Sequence, residues 1–322
     1  MTNLIDKFNQ ALSRRDTLGS DITVKRLVDG IGDGLPGLYL DCLGATAIAH
    51  IQSDHEHSSY RELLLDQKIF EKLKLSALFL RQRFSDASKS AESEAELLWG
   101  SDSETALIQE HGVTYQIYPK RYVNAGFFID MREVRRTLVR NSAGKRVLNL
   151  FCYTGSLGMS AAVGGASHVV QVDISKGIIA LARENQQLNK QNISGEMRFI
   201  PEDSFVFLEK ESRRIERGSL PFDVVIVDPP SFSRSKQGTF QIERDIKALF
   251  EGVLAVAAQR STIFATTNLA MLEPEDVLRA FHEVCETTGR KILSHREILP
   301  PEDFNAPLGL SIATRGVQVE VG

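Results

Sequence analysis

Apolar and polar positions alternate along the chain with two different periods. Leu4, Ile5, Phe8, Ala11 and Leu12 recur at helical spacing, which predicts an amphipathic helix in the first segment. After Gly19 the period shortens. β-Prone runs at 22–28, 38–41 and 45–51 flank the turn-rich stretch Asp29-Gly-Ile-Gly-Asp-Gly-Leu-Pro-Gly37. A helix over 60–73 and a strand over 77–81 follow, and the polar stretch 84–96 reads as a loop. The pattern predicts an N-terminal helix within 1–19 and a small α+β domain over 20–120.

From Lys145 the rhythm becomes strand then helix, repeatedly. Strands are expected at 146–151, 168–173, 197–200, 222–228 and 261–266. Helices are expected at 156–163, 176–189, 204–214, 242–258 and 274–287. Such alternation implies a doubly wound α/β domain, a parallel sheet covered by helices on both faces, over 121–322. Two last β-prone runs, 291–299 and 316–321, suit an antiparallel pair at one sheet edge.

Composition adds bounds. With 322 residues, 42% hydrophobic and 25% charged, the chain can bury a full core. No apolar run approaches the roughly 18 residues that span a bilayer, and the N-terminus does not read as a signal peptide. The three cysteines, Cys42, Cys152 and Cys285, lie far apart without metal-type spacing, so a reduced cytoplasmic setting and no metal are expected. A net charge of −4 offers no global pull on nucleic acid, although a local basic face can suffice.

Candidate chemistry sits at the ends of the predicted strands, where open α/β sheets bind ligands. The first end is Val147-Leu-Asn149-Leu-Phe151-Cys152-Tyr153-Thr154-Gly155-Ser-Leu-Gly158. There Gly155 permits a tight turn and close approach of a ligand, and the following helix N-terminus favours an anionic group. The second is Val172-Asp173, whose carboxylate can accept from both hydroxyls of a ribose, with Ser175 two residues on. The third is Glu202-Asp203-Ser204, placed to read an adenine. The fourth is Asp228-Pro229-Pro-Ser-Phe232. A dinucleotide fingerprint would need a glycine two before Gly155, and Tyr153 stands there. S-adenosylmethionine (SAM), which has no phosphate, does not need that approach. Taken singly, Gly155 and Asp173 could equally shape a turn and cap a helix. Four such ends in order point to the adenosyl cofactor.

The apolar strand Phe222-Asp-Val-Val-Ile-Val stops at two prolines, which cannot continue a ladder. Asp228 ahead of them and Phe232 after them resemble the Asp-Pro-Pro-aromatic element of methyltransferases that act on nucleobases. Together with Gly34-Leu-Pro-Gly37, Asp41, Gly126-Phe-Phe-Ile-Asp130-Met-Arg132, the Asn149–Gly155 run and Asp173, the chain resembles the large-subunit ribosomal RNA base methyltransferases of the RlmI/RlmK type. The resemblance runs from about Val28 to the C-terminus. It implies a seven-stranded Rossmann-like methyltransferase domain after a small α+β domain, with SAM as cofactor and ribosomal RNA as partner. It further implies that Asp130 and Arg132 help wall the cofactor site; an exposed helix start with ordinary charges is the alternative. The implied cofactor set is completed by Asn149, Phe151, Tyr153, Thr154, Gly155, Asp173, Ser175, Asp203, Ser204 and Asp228. The implied transfer set is Asp228, Pro229, Phe232 and Asn268.

Two departures separate the chain from the cytosine-modifying branch. Only about 20 residues precede the small domain, where that branch carries an RNA-binding PUA domain. Thr266-Thr-Asn268 also stands where it carries Ser-Cys-Ser. Cytosine C5 needs a thiolate added at C6, so the missing cysteine favours direct SN2 transfer to an atom with its own lone pair. Cys152 is the displaced-cysteine alternative, and Cys285 reads as core. Lys120, Arg121, Arg234, Lys236 and the series Arg132, Arg135, Arg136 and Arg140 are candidate phosphate contacts, or else a solvated helix face. A small-molecule or protein methyltransferase, and a non-catalytic RNA-binding relative, are the competing functions.

Overall fold

The structure, a computed structural model, describes residues 2–18, 22–52, 57–66, 73–82, 94–235, 238–269, 272–306 and 313–322. Two compact units divide the chain: Met1–Asp130 with Pro301–Ser311, and Met131–Pro300 with Ile312–Gly322.

The first unit opens with α1 (Thr2–Arg15), whose Phe8 and Ala11 are buried in the unit's core beside Leu27 and Leu38. The strands β1 (Val24–Asp29), β2 (Leu38–Leu43) and β3 (Thr46–Ile51) follow. Then come α2 (His57–Leu64), β4 (Ala77–Gln82) and β5 (Glu96–Gly100). These strands form one sheet in sequence order, antiparallel except for the parallel pair β3–β4, whose connection contains α2. A separate hairpin joins β6 (Ala106–Glu110) to β7 (Val113–Ile117). Buried arginines, each paired with a carboxylate, tie the unit's start to its returning segment. Arg15 forks onto Asp33 at 2.6 and 2.7 Å and also donates to the Asp303 carbonyl at 2.9 Å. Arg26 donates to Asp41 at 2.8 and 3.2 Å and lies 4.4 Å from the centroid of the Phe304 ring.

The second unit is α3 (Arg132–Asn141), β8 (Arg146–Leu150), α4 (Ser156–Val163), β9 (His168–Asp173), α5 (Lys176–Leu188), β10 (Glu196–Pro201), α6 (Ser204–Glu216) and β11 (Phe222–Val227). It continues with the hairpin β12 (Phe232–Ser235) and β13 (Gly238–Gln241), then α7 (Ile242–Val256), β14 (Ala257–Thr267), α8 (Pro274–Thr288), β15 (Ile292–Ile298) and β16 (Arg315–Val321). Its seven-stranded sheet has the order β10-β9-β8-β11-β14-β16-β15. Strands β10 through β14 of that order are parallel, and β16 runs antiparallel to both of its neighbours. The central strands are apolar runs because helices cover them: Leu148, Val170, Val225 and Ile263 share one core with Phe250 of α7 and Phe281 of α8. This is the doubly wound α/β architecture expected from the strand–helix rhythm.

Differences from the pattern are local. α2 starts three residues before the predicted helix and ends at Leu64; of the remainder, 67–72 lie outside the described residues and 73–74 form a turn. The loop read over 84–96 falls mostly on 83–93, also outside them, and its last residue opens β5. β14 begins four residues ahead of the predicted strand. The hydrophobic pattern does not single out β5, β6 or β7, five residues each; β6 and β7 alternate in burial, and β5 exposes only its two ends.

Candidate active site

Because β8, β9, β10, β11 and β14 are parallel, their C-terminal ends share one sheet edge. The registers Leu150↔Val172, Pro201↔Asp173, Leu150↔Val227 and Val227↔Ala265 level those ends. The chain winds outward from β8 through β9 to β10, and on the other side through β11 to β14. The reversal of direction beside β8 makes this edge the topological switch point, where open α/β sheets form a ligand crevice. Asp173 ends β9 and Asp228 directly follows β11, the strands on either side of β8. They are therefore separated by two strand spacings, roughly 10 Å.

The β8–α4 turn is held in an uncommon shape. Phe151, Tyr153 and Gly155 all have positive φ, +54°, +50° and +81°; for the two aromatic residues this is a sparsely populated, costly conformation. Hydrogen bonds from below impose it. The Cys152 N–H donates to the Val172 carbonyl (2.9 Å), and the Tyr153 N–H to Asp173 Oδ2 (3.0 Å). Asn185 Nδ2 donates to the Thr154 carbonyl (3.0 Å), and Gln171 Nε2 to the Gly155 carbonyl (3.0 Å). A Cβ on Gly155 would stand 2.6 Å from Gln171 Nε2 at φ +81°, so any other residue strains the turn and displaces the amide.

Asp173 accepts one backbone N–H on each oxygen, from Tyr153 and, at 2.9 Å, from Ser175. Burial raises its pKa above the ordinary aspartate value, and the two N–H donors only partly oppose the shift. Ser175 caps α5 through its Oγ, which accepts from the Ile178 N–H. Asp203 caps α6, its Oδ1 accepting from Phe205 and Val206 at 2.9 and 3.3 Å. Ser204 beside it is buried, with an Oγ that has no partner among the described residues. Asp228 accepts from Thr266 Oγ1 at 2.7 Å. Pro229 is buried and Asn268 is exposed just past β14.

Phe232 opens the β12–β13 hairpin; its side chain, and those of Arg234 and Lys236, lie outside the described residues. The hairpin is nonetheless anchored at this edge. Phe240 of β13 stacks 6.0 Å from Phe151 and 5.7 Å from Phe205, spanning the turns after β8 and β10.

The structure does not bring every predicted residue into the crevice. Asn149 is 1% exposed and lies beneath the turn, its Nδ2 committed to Gln171 Oε1 at 2.8 Å. Asp130 belongs to a one-turn helix closing the first unit, and Arg132 opens α3 of the second. Arg132 and Arg135 are buried. That withdraws both from the candidate phosphate series, and it equally overturns the solvated-face alternative for them. Arg136 and Arg140 are exposed, with Arg136 paired to Glu133. Lys120 is paired with Asp102, and exposed Arg121 sits 5.3 Å from the Tyr122 ring centroid.

Cys152 packs with Ile179, Ala182 and Phe199, and its thiol is pushed well above the usual range by burial first and the nearby Asp173 charge second. Cys285 is buried in the core between α8 and the sheet. Sequence reasoning missed Gln171, Thr266 as the partner of Asp228, and Phe240. Gln171 alone left a signal, a polar residue inside the apolar run Val169-Val-Gln-Val172.

A family model described as S-adenosylmethionine-dependent methyltransferase matches residues 72–304. The protein named "Putative ribosomal RNA large subunit methyltransferase YwbD" of Bacillus subtilis is 28% identical over 303 residues, 93% of this chain and 75% of that one. Ribosomal RNA large subunit methyltransferase I of Aeromonas hydrophila is 31% identical over 265 residues, 78% of this chain. The chain covers 64% of that enzyme's length, under two thirds. The fold also matches a solved structure, "SMU.776, a putative methyltransferase complexed with SAH", with a TM-score of 0.84 at 24% identity, over 99% of this chain and 80% of the other.

Proposed function

The chain belongs to the S-adenosylmethionine-dependent methyltransferase family, and on that premise we propose that it methylates a nucleobase of large-subunit ribosomal RNA by direct transfer. The observation that carries the reading is the placement of Asp173 and Asp228 on the two strands flanking β8, at one sheet edge. The names of the Bacillus and Aeromonas relatives support the RNA, and the SAH bound to the structural neighbour supports the cofactor.

The donor set fits SAM. Each Asp173 oxygen has one N–H and keeps a lone pair for a ribose hydroxyl. Ser204 offers a buried hydroxyl without a partner among the described residues, beside the capping carboxylate of Asp203, a polar pair suited to an adenine edge. The α4 N-terminus behind Gly155 suits the methionine carboxylate. Bound there, SAM supplies an electrophilic methyl group on a sulfonium.

The chain's own residues supply position. Thr266 fixes the Asp228 carboxylate, and Pro229 stiffens the backbone on which it stands. Asp228 and Phe232 present the base, one to its polar edge and one to its face, and Asn268 orients it from the end of β14. Holding the acceptor roughly 3 Å from the methyl, in line with the leaving sulfur, supplies much of the rate. A base nitrogen with an in-plane lone pair needs no covalent activation. The high pKa and tight packing of Cys152, together with Thr266-Thr267-Asn268 at the end of β14, support transfer without a thiolate.

Mass spectrometry of nucleosides from ribosomal RNA, with and without the gene, tests the proposal. One methylated base lost with the gene is expected. Unchanged nucleosides, with methyl transfer to protein or a small molecule instead, would overturn it.

A further inference from the structure

Gln171 is fully buried in β9, two residues before Asp173, and nothing in the cofactor's chemistry calls for it directly. Its amide is engaged at both ends. Nε2 donates to the Gly155 carbonyl at 3.0 Å, and Oε1 accepts from Asn149 Nδ2 at 2.8 Å. The direction of this chain is forced. A carbonyl can only accept, so the Gln171 nitrogen must face Gly155; its oxygen must then face Asn149, and Asn149 must turn its nitrogen inward. Asn149 Oδ1 is consequently left buried without a partner among the described residues. Two glycines rest on the same amide: a Cβ on Gly155 would lie 2.6 Å from Nε2, and one on Gly158 would lie 2.5 Å from Oε1. The turn is thus hydrogen-bonded to Gln171 at one point and pressed on it at two.

We infer that Gln171 is a positioning residue for the cofactor, setting the height and tilt of the Tyr153–Gly158 turn above the sheet. The inference rests on the reading that the crevice at Asp173 holds SAM. A buried polar pair in a sheet core carries a desolvation cost that an apolar residue would avoid. Its return here is an ordered loop: the Gln171 bond fixes the Gly155 end of a turn whose Phe151 and Tyr153 carry strained φ, and the bonds at Cys152, Tyr153 and Thr154 hold the rest. Any ligand that binds against the turn uses that order, whether or not it carries a methyl group. SAM and SAH should therefore depend on Gln171 equally, and the RNA substrate should not.

Gln171→Met keeps the bulk beneath both glycines and removes both hydrogen bonds. Calorimetry with SAM and with SAH, well below the variant's own melting temperature, should show both affinities weakened about tenfold or more, because a buried carbonyl and amide lose their partners. With bulk ribosomal RNA from a strain lacking the gene as acceptor, the KM for SAM should rise. kcat at saturating SAM should stay within about twofold. Gly158→Ala, which displaces the same amide from the helix side, should give the same split and serves if Gln171→Met does not fold. A lowered melting temperature with unchanged SAM and SAH affinity would make Gln171 a packing residue and overturn the inference. Asp173→Asn, measured in parallel, separates the two levels. If it binds SAM normally, the crevice reading itself fails; if it loses SAM while Gln171→Met keeps it, only the Gln171 inference fails.

Discussion

Asp173→Asn tests the cofactor site at its most exacting point. Both carboxylate oxygens accept backbone N–H groups, from Tyr153 and Ser175. Whichever way an amide turns, its NH2 must face one of those N–H donors, and the other face must serve the ribose with one acceptor fewer. Hydrogen bonds to a charged acceptor contribute about 1.5–3 kcal/mol each, and an unpaired buried donor costs about 1–3 kcal/mol. Losing one accepted hydroxyl bond and the charge assistance to the other sums to about 3–4 kcal/mol. At about 1.4 kcal/mol per factor of ten, SAM should bind roughly a hundred- to a thousand-fold more weakly. The donor–donor conflict is present with and without SAM, so it falls on the unliganded fold, where relief of the burial that raises the Asp173 pKa offsets part of it. Calorimetry reads the affinity and a thermal melt reads the fold. An intact melt with SAM affinity within about tenfold of the parent would refute the assignment of the ribose to Asp173.

Other consequences follow from the same geometry. Because burial raises the Asp173 pKa, the unliganded protein loses this group's stabilising contribution as pH rises through that value. SAM affinity should have the opposite slope, rising with pH through it, since ribose hydroxyls favour the carboxylate; a flat profile above the ordinary aspartate range would contradict this. Cys152→Ala should leave methyl transfer within a few-fold, and abolished transfer with normal SAM binding would point instead to covalent activation of the base. Gly155→Ala, at φ +81° and with its new Cβ 2.6 Å from Gln171 Nε2, should destabilise by about 2–4 kcal/mol and weaken SAM together. Asp33→Ala strands the buried Arg15 guanidinium and should cost about 3 kcal/mol in thermal or urea unfolding. A loss below about half that value would show that the Asp303 and Asn305 contacts of Arg15 suffice.

The second unit was largely legible because its strands and helices are long and their periods differ. The apolar runs 168–173 and 222–227 could only be covered strands, and the carboxylates closing them mark the ligand edge. What the pattern does not carry is tertiary. Arg132 and Arg135 sit on a helix rich in arginine, and only packing decides that they are buried while Arg136 is not. The pairing of Thr266 with Asp228 joins residues 38 apart on neighbouring strands, a contact no local spacing reveals. Phe240 reads as one more aromatic until the hairpin folds it between Phe151 and Phe205. Asn149 shows the opposite case, a polar residue at a strand end that points to the ligand in sequence but is spent on Gln171 in the fold.

The adenosyl group and the reacting base are proposed to share one crevice, beside β8. A crystal structure of the protein with SAH would test this most directly. Both ribose hydroxyls are expected within hydrogen-bonding distance of the Asp173 carboxylate, with the sulfur on the side toward Asp228. SAH bound elsewhere, for instance in the cavity of about 290 Å³ lined by Thr137, Asn141, Lys145, Thr262 and Glu320, would contradict it.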